Sequence, residues 1–177
     1  MKKVVFILFF FSCLMGGESI EKDFSEATRS NDLAKAGKIA RKGCENGDLF
    51  GCAMLGIFYE NGMGGIESNL SRALELYTIA CEGGKMQGCS SLGKLYDQGK
   101  GIKQDYSRAV EYYRRACEGN ESEGCFGLGL MYGNGTGVKR DGYRAWKLFQ
   151  KACYLGMPLG CRMVQEISKS HGKNKGK

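Results

Sequence analysis

The sequence has no segment in which apolar and polar residues alternate as in a half-buried strand, so a β-sheet has nothing to build from. It has no C-x2-C pair, and its one histidine, His171, lies in a polar tail. Zinc sites want such clusters and usually histidine, so zinc is disfavoured as the use of the cysteines. A histidine in a tail is also a poor general base. No Ser-His-Asp arrangement, metal set or glycine-rich phosphate loop stands out, and no cofactor is implied. After the first fifteen residues no stretch is apolar enough to span a bilayer. The single proline, Pro158, suits the first turn of a closing helix.

The chain starts Met1, Lys2, Lys3 and continues with an apolar run from Val4 to Met15. A short basic segment followed by about 12 apolar residues reads as a secretory signal over residues 1–17, too short for a membrane span. Small residues at Gly16, Gly17 and Ser19 place cleavage near Gly16–Gly17. Cys13 offers a second reading, as the lipidated cysteine of a lipoprotein. The preceding Phe10, Phe11 and Ser12 supply the small residue but not the usual leucine, and the alternative is an ordinary residue of a discarded leader. The expected location is periplasmic or secreted.

The formal charge of +7 is mostly a matter of the ends. Lys2 and Lys3 leave with the leader, and Lys169, Lys173, Lys175 and Lys177 sit in the tail. The part between carries 20 basic and 19 acidic residues. A nucleic-acid footprint needs a basic face on the folded part, and none is expected.

What the chain does have is four cysteine pairs of C-x7-C spacing: Cys44/Cys52, Cys81/Cys89, Cys117/Cys125 and Cys153/Cys161. An even number of spaced cysteines in an exported chain reads as disulfides. Around them three copies of one unit align. Gly51, Gly88 and Gly124 coincide, as do Leu55-Gly56, Leu92-Gly93 and Leu128-Gly129, and Tyr59, Tyr96 and Tyr132. Arg72-Ala73, Arg108-Ala109 and Arg144-Ala145 coincide in the second half of each copy, followed by Ala80-Cys81, Ala116-Cys117 and Ala152-Cys153.

Each copy carries two helical patterns. Cys52, Leu55, Gly56 and Tyr59 fall on one helix face; Tyr106, Ala109, Tyr112, Tyr113 and Ala116 do the same in a second helix. Asn69, Asp105 and Asp141 stand where an N-cap belongs, and glycines such as Gly83, Gly84 and Gly119 follow the helix ends. Glycine at Gly56, Gly93 and Gly129 costs about 1 kcal/mol relative to alanine in a helix, so its recurrence points to close helix approach with a tyrosine beside it. Trp146 replaces Leu74 and Val110 and reads as core. The organisation is a half repeat over 18–48, repeats over 49–85, 86–121 and 122–157, a closing helix over 158–168 and a basic disordered tail over 169–177.

Two cysteine pairings are possible: across the short turn between units, or across a helix pair from Cys52 to Cys81. The short spacing is the same in all four pairs. The long spacing changes from one copy to the next, because a residue is inserted near Gly64-Gly65, and the long scheme strands Cys44 and Cys161. We therefore expect Cys44–Cys52, Cys81–Cys89, Cys117–Cys125 and Cys153–Cys161, each worth about 2–3 kcal/mol for so short a loop. A solenoid has only neighbour contacts, so such bridges staple each junction.

The pattern A-x-x-L-G-x-x-Y, then G-x-G-V/I, then an Asp-led helix with A-x-x-x-Y/F-x-x-A, resembles the Sel1-like repeat, a relative of the tetratricopeptide repeat. With a cysteine at each end of the unit it is similar to the secreted cysteine-rich Sel1-like proteins of bacteria, the Hcp family. The resemblance covers residues 23 to 168. It implies an all-α, right-handed αα-solenoid with disulfide-bridged repeats. The family is commonly classed with penicillin-binding proteins and weak β-lactamases, whereas its fold is otherwise used to bind proteins and peptides.

Two site expectations follow. Ser91-Leu92-Gly93-Lys94 matches S-x-x-K, which would make Ser91 a nucleophile beside Lys94 in a β-lactam-hydrolysing enzyme, although S-D-N and K-T-G are absent and Leu92-Gly93 belongs to the repeat itself. The other expectation is a binding groove along the first helices of the repeats, on the concave side. Its stripe is Met54, Ile57 and Asn61, then Ser91, Lys94 and Gln98, then Gly127, Leu130 and Asn134. There Lys94, flanked by Asn61, Gln98 and Asn134, would receive a carboxylate from a peptide end, a cell-wall peptide or a β-lactam. The alternative is that these amides, beside Gly62, Gly99 and Gly135, merely finish their helices.

Overall fold

The computed structural model describes residues 20–173, which contain nine helices and no strand. The leader, Cys13 and the last four residues lie outside the described residues. The chain divides into two compact units between Lys85 and Met86. The first unit holds α1 (20–29), α2 (Leu33–Glu45), α3 (Leu49–Asn61) and α4 (Leu70–Glu82). The second holds α5 (Met86–Gln98), α6 (Tyr106–Glu118), α7 (Ser122–Asn134), α8 (Gly142–Tyr154) and α9 (Pro158–Lys173). Within each unit successive helices are joined by short turns and pack as helical hairpins.

Side-chain caps set the helix starts. Asn69, Asp105 and Asp141 accept the backbone N–H of Arg72, Arg108 and Arg144 at 3.0, 3.0 and 2.9 Å. Asp48 does this for α3 at 2.7 Å, and Glu121, a longer acid, for α7 at 2.6 Å. α3 and α7 end on Gly62 and Gly135, with φ of 65° and 76°, a conformation that a side chain would disfavour.

The core of each repeat is a ring laid on bare backbone. A Cβ at Gly56, Gly93 or Gly129 would sit 2.6, 2.7 or 2.7 Å from the ring of Tyr77, Tyr113 or Phe149, on the second helix of the same repeat. The aligned tyrosines of the first helices do a different job. Arg108 and Arg144 reach back and donate to the Tyr96 and Tyr132 hydroxyls at 3.0 and 3.4 Å, with each guanidinium about 5.5 Å from the ring centre. The recurrent Arg-Ala pair thus splits its roles: Ala73, Ala109 and Ala145 are buried, while Arg108 and Arg144 hold the outer tyrosine and Arg72 pairs with Glu75.

Cys44–Cys52, Cys117–Cys125 and Cys153–Cys161 are bonded, with Cα atoms 4.4, 4.4 and 4.6 Å apart, and Cys81 and Cys89 are disulfide-bonded too. The glycine before the second cysteine permits this approach. A Cβ at Gly51 would lie 2.7 Å from the Cys44 amide nitrogen, and one at Gly160 would lie 2.9 Å from that of Cys153.

Three details depart from the sequence reading. The N-terminal half repeat is a helix pair, because Ile20, Phe24 and Ala27 recur at helical spacing and α1 packs Phe24 against Phe50 and Phe58, with ring centres 5.5 and 6.1 Å apart. The closing helix runs on to Lys173 rather than stopping at 168, since no glycine or proline falls between Gly160 and Gly172. Trp146 is half-buried, not core.

Gly51→Ala should lower stability by about 1–3 kcal/mol in urea unfolding, because backbone atoms cannot yield to the new methyl. Gly142→Ala, where nothing lies within 4 Å, should leave stability unchanged or raise it.

Candidate functional site

The helix α3, LFGCAMLGIFYEN, has one charged residue, and it is buried: Glu60 is 5% exposed. A buried carboxylate needs donors, and the Tyr77 hydroxyl donates to Glu60 Oε2 at 2.7 Å. In the next repeat the same two positions hold Asp97 and Tyr113. Burial raises the Asp97 carboxyl above its ordinary range. Burial, with the charges of Asp97 and Glu123, pushes the Tyr113 hydroxyl above the usual tyrosine range. In the third repeat these positions are Gly133 and Phe149. Carboxylate and hydroxyl have both gone, and nothing polar is left to satisfy.

An apolar groove of about 700 Å³ opens there. Leu130, Gly133 and Asn134 of α7 form one wall, Met163 and Ile167 of α9 face them, and Trp146 and Phe149 of α8 line it between. Gly133 leaves room: a Cβ there would meet only Ala145, at 3.7 Å. Tyr143, 63% exposed, stacks on Trp146 with ring centres 6.2 Å apart. Arg140 brings a cation to the rim, its Nε–H donating to the Gly133 carbonyl at 3.1 Å, so the end of α7 and the guanidinium hold each other. The combination is an apolar bed, an amide and one fixed cation, at a volume typical of ligand sites.

Of the residues expected to bind, Leu130 and Asn134 line this groove and Lys94 and Gln98 do not; both of the latter are exposed on α5. Asn61 belongs to the first unit, and its amide donates to the Ile57 carbonyl at 2.8 Å, the helix-finishing role. Ser91 is half-buried and Lys94 exposed one turn further on, and neither lines the groove. Among the described residues no three His, Cys, Asp or Glu side chains gather as a metal site would require, and no helix is long and apolar enough to cross a membrane. As groove residues the sequence reading missed Gly133, Arg140, Tyr143, Trp146 and Phe149. The signal was available for two of them, because Gly133 and Phe149 break the Glu60/Asp97 and Tyr77/Tyr113 pattern together.

Hairpins that repeat in sequence, share a ring-on-glycine core and are joined by disulfides define a disulfide-rich helical-repeat protein. The sequence matches the Sel1 repeat over residues 49–85, 87–121 and 122–157, and the chain belongs to that family. A Sel1 repeat protein from Oxalobacter formigenes is similar, with 28% identity over 76% of this chain and 53% of its own, at a TM-score of 0.72. So is a protective antigen of uropathogenic Escherichia coli with an SLR fold, at 31% identity, TM-score 0.67, covering 75% of this chain and 28% of that one. Cysteine rich protein B of Helicobacter pylori matches at 31% identity and a TM-score of 0.57, covering 80% of this chain and 95% of its own. The chain thus spans about half the length of the Oxalobacter protein. No curated protein matches the sequence.

Ser91 and Lys94 do not line the groove, so Ser91→Ala and Lys94→Ala should leave any β-lactam turnover by the oxidised protein unchanged. Turnover that either variant abolishes would restore the serine-enzyme reading.

Proposed function

We propose that this is an exported, disulfide-stapled binding module that seats a protein or peptide segment in the groove of its last repeat, a cell-wall peptide being one such segment. The observation that carries the reading is the paired loss of carboxylate and hydroxyl at Gly133 and Phe149, which leaves a mostly apolar bed beside Trp146. An apolar side chain of the ligand would lie on Leu130, Trp146 and Phe149. Asn134 and Arg140 would take its backbone or a carboxylate. Disulfides fit an oxidising compartment, which supports export. Nothing in the groove favours β-lactam hydrolysis, since it is not lined by Ser91 or Lys94.

Peptides selected from a displayed library on the oxidised protein provide the test. Their titration is followed by the emission of Trp146, the chain's one tryptophan. Emission should change saturably, Leu130→Asp should weaken binding by about tenfold or more, roughly 1.4 kcal/mol, and Lys94→Ala should leave it unchanged. Peptides that bind without altering Trp146, or bind Leu130→Asp equally, would contradict the assignment.

A further inference from the structure

A second cavity, of about 370 Å³, lies between α6 and α8 over α7. Its charged lining is four cations, Arg114, Arg144, Lys147 and Lys151, against one carboxylate, Glu118. The same repeat positions on α2 and α4 read Arg41, Arg72, Glu75 and Ile79, with Glu45 in place of Glu118. In that earlier repeat the charges cancel, and Arg72 is paired with Glu75 at 2.7 Å. In the last repeat Lys147 stands where Glu75 does, and Lys151 where Ile79 does. Arg144, Lys147 and Lys151 follow one another along one face of α8, an arrangement that disfavours the helix by like-charge repulsion.

Two of these cations are held in place by the fold. Arg144 Nη1 donates to the Tyr132 hydroxyl at 3.4 Å and its Nε lies 3.2 Å from Asp141. Lys151 Nζ donates to the Cys117 carbonyl at 2.6 Å. Asp141 offsets part of the Arg144 charge and Glu118 part of the rest, so a positive excess remains on Arg114, Lys147 and Lys151, with Lys147 Nζ 4.7 Å from the Tyr143 ring centre. A single carboxylate would neutralise only part of it. Two guanidinium groups and two ammonium groups suit a multiply charged oxyanion.

We propose that this cavity is an anion site for a phosphate-type oxyanion, with room for more than one phosphate group. It is separate from the peptide groove and does not depend on that reading. Calorimetric titration of the oxidised protein with inorganic pyrophosphate at low salt tests it, alongside Lys147→Glu, which rebuilds the Arg72–Glu75 arrangement, and Arg114→Gln. Wild type should bind. Lys147→Glu should bind about tenfold or more weakly with its unfolding temperature unchanged or raised, and Arg114→Gln should also lose affinity. Vesicles of phosphatidylcholine with and without phosphatidic acid identify the source. Binding only to the acidic vesicles supports a lipid-borne phosphate, and pyrophosphate binding without vesicle binding supports a soluble one. No pyrophosphate binding by the wild type, or equal binding by Lys147→Glu, would overturn the proposal.

Discussion

Each repeat depends on one contact: an aromatic ring on the second helix pressed onto a glycine of the first. With Tyr77 on Gly56, Tyr113 on Gly93 and Phe149 on Gly129, the helices come close enough for alanines to fill the rest of the seam. The glycine costs helix propensity, about 1 kcal/mol, and the ring offsets it by burying a large apolar face against backbone. The hydroxyl of that ring then needs a partner, which is why α3 carries a buried carboxylate in an otherwise apolar sequence. Packing, polarity and the site follow from how each repeat meets that demand.

The junctions solve a different problem with similar means. A second set of glycines, Gly51, Gly124 and Gly160 among them, lets the end of one hairpin touch the start of the next, and the adjacent cysteines lock the approach. A chain with only neighbour contacts has little else to hold it where two hairpins meet. The arginines that follow the caps add an outer clasp on Tyr96 and Tyr132.

Much of this was legible. Cysteine spacing, the Leu-Gly and Arg-Ala pairs and the Asn/Asp caps specify helix pairs because each residue type has a local physical cause. The groove was less legible. The sequence reading offered the stripe along the first helices as a groove with Lys94 at its centre, beside the alternative that its amides merely finish their helices. Burial and reach bear on such matters, and the alignment of copies does not carry them. Trp146 shows this well. It occupies a position where Val110 is buried, but beside Gly133 it becomes the half-buried wall of a cavity. The informative signal was a correlated change, Gly133 with Phe149, and it is visible only once the partnership of Glu60 with Tyr77 is known.

The account therefore rests on the claim that losing the carboxylate and hydroxyl together is what opens the groove. The most direct measurement is the affinity of an apolar anionic dye, anilinonaphthalene sulfonate, for the oxidised protein and for the double variant Gly133→Asp/Phe149→Tyr, which restores the polar pair of the second repeat. The account predicts that the native protein binds the dye saturably and that the double variant loses this binding while unfolding at the same or a higher urea concentration. Equal dye binding by a fully folded double variant would contradict it.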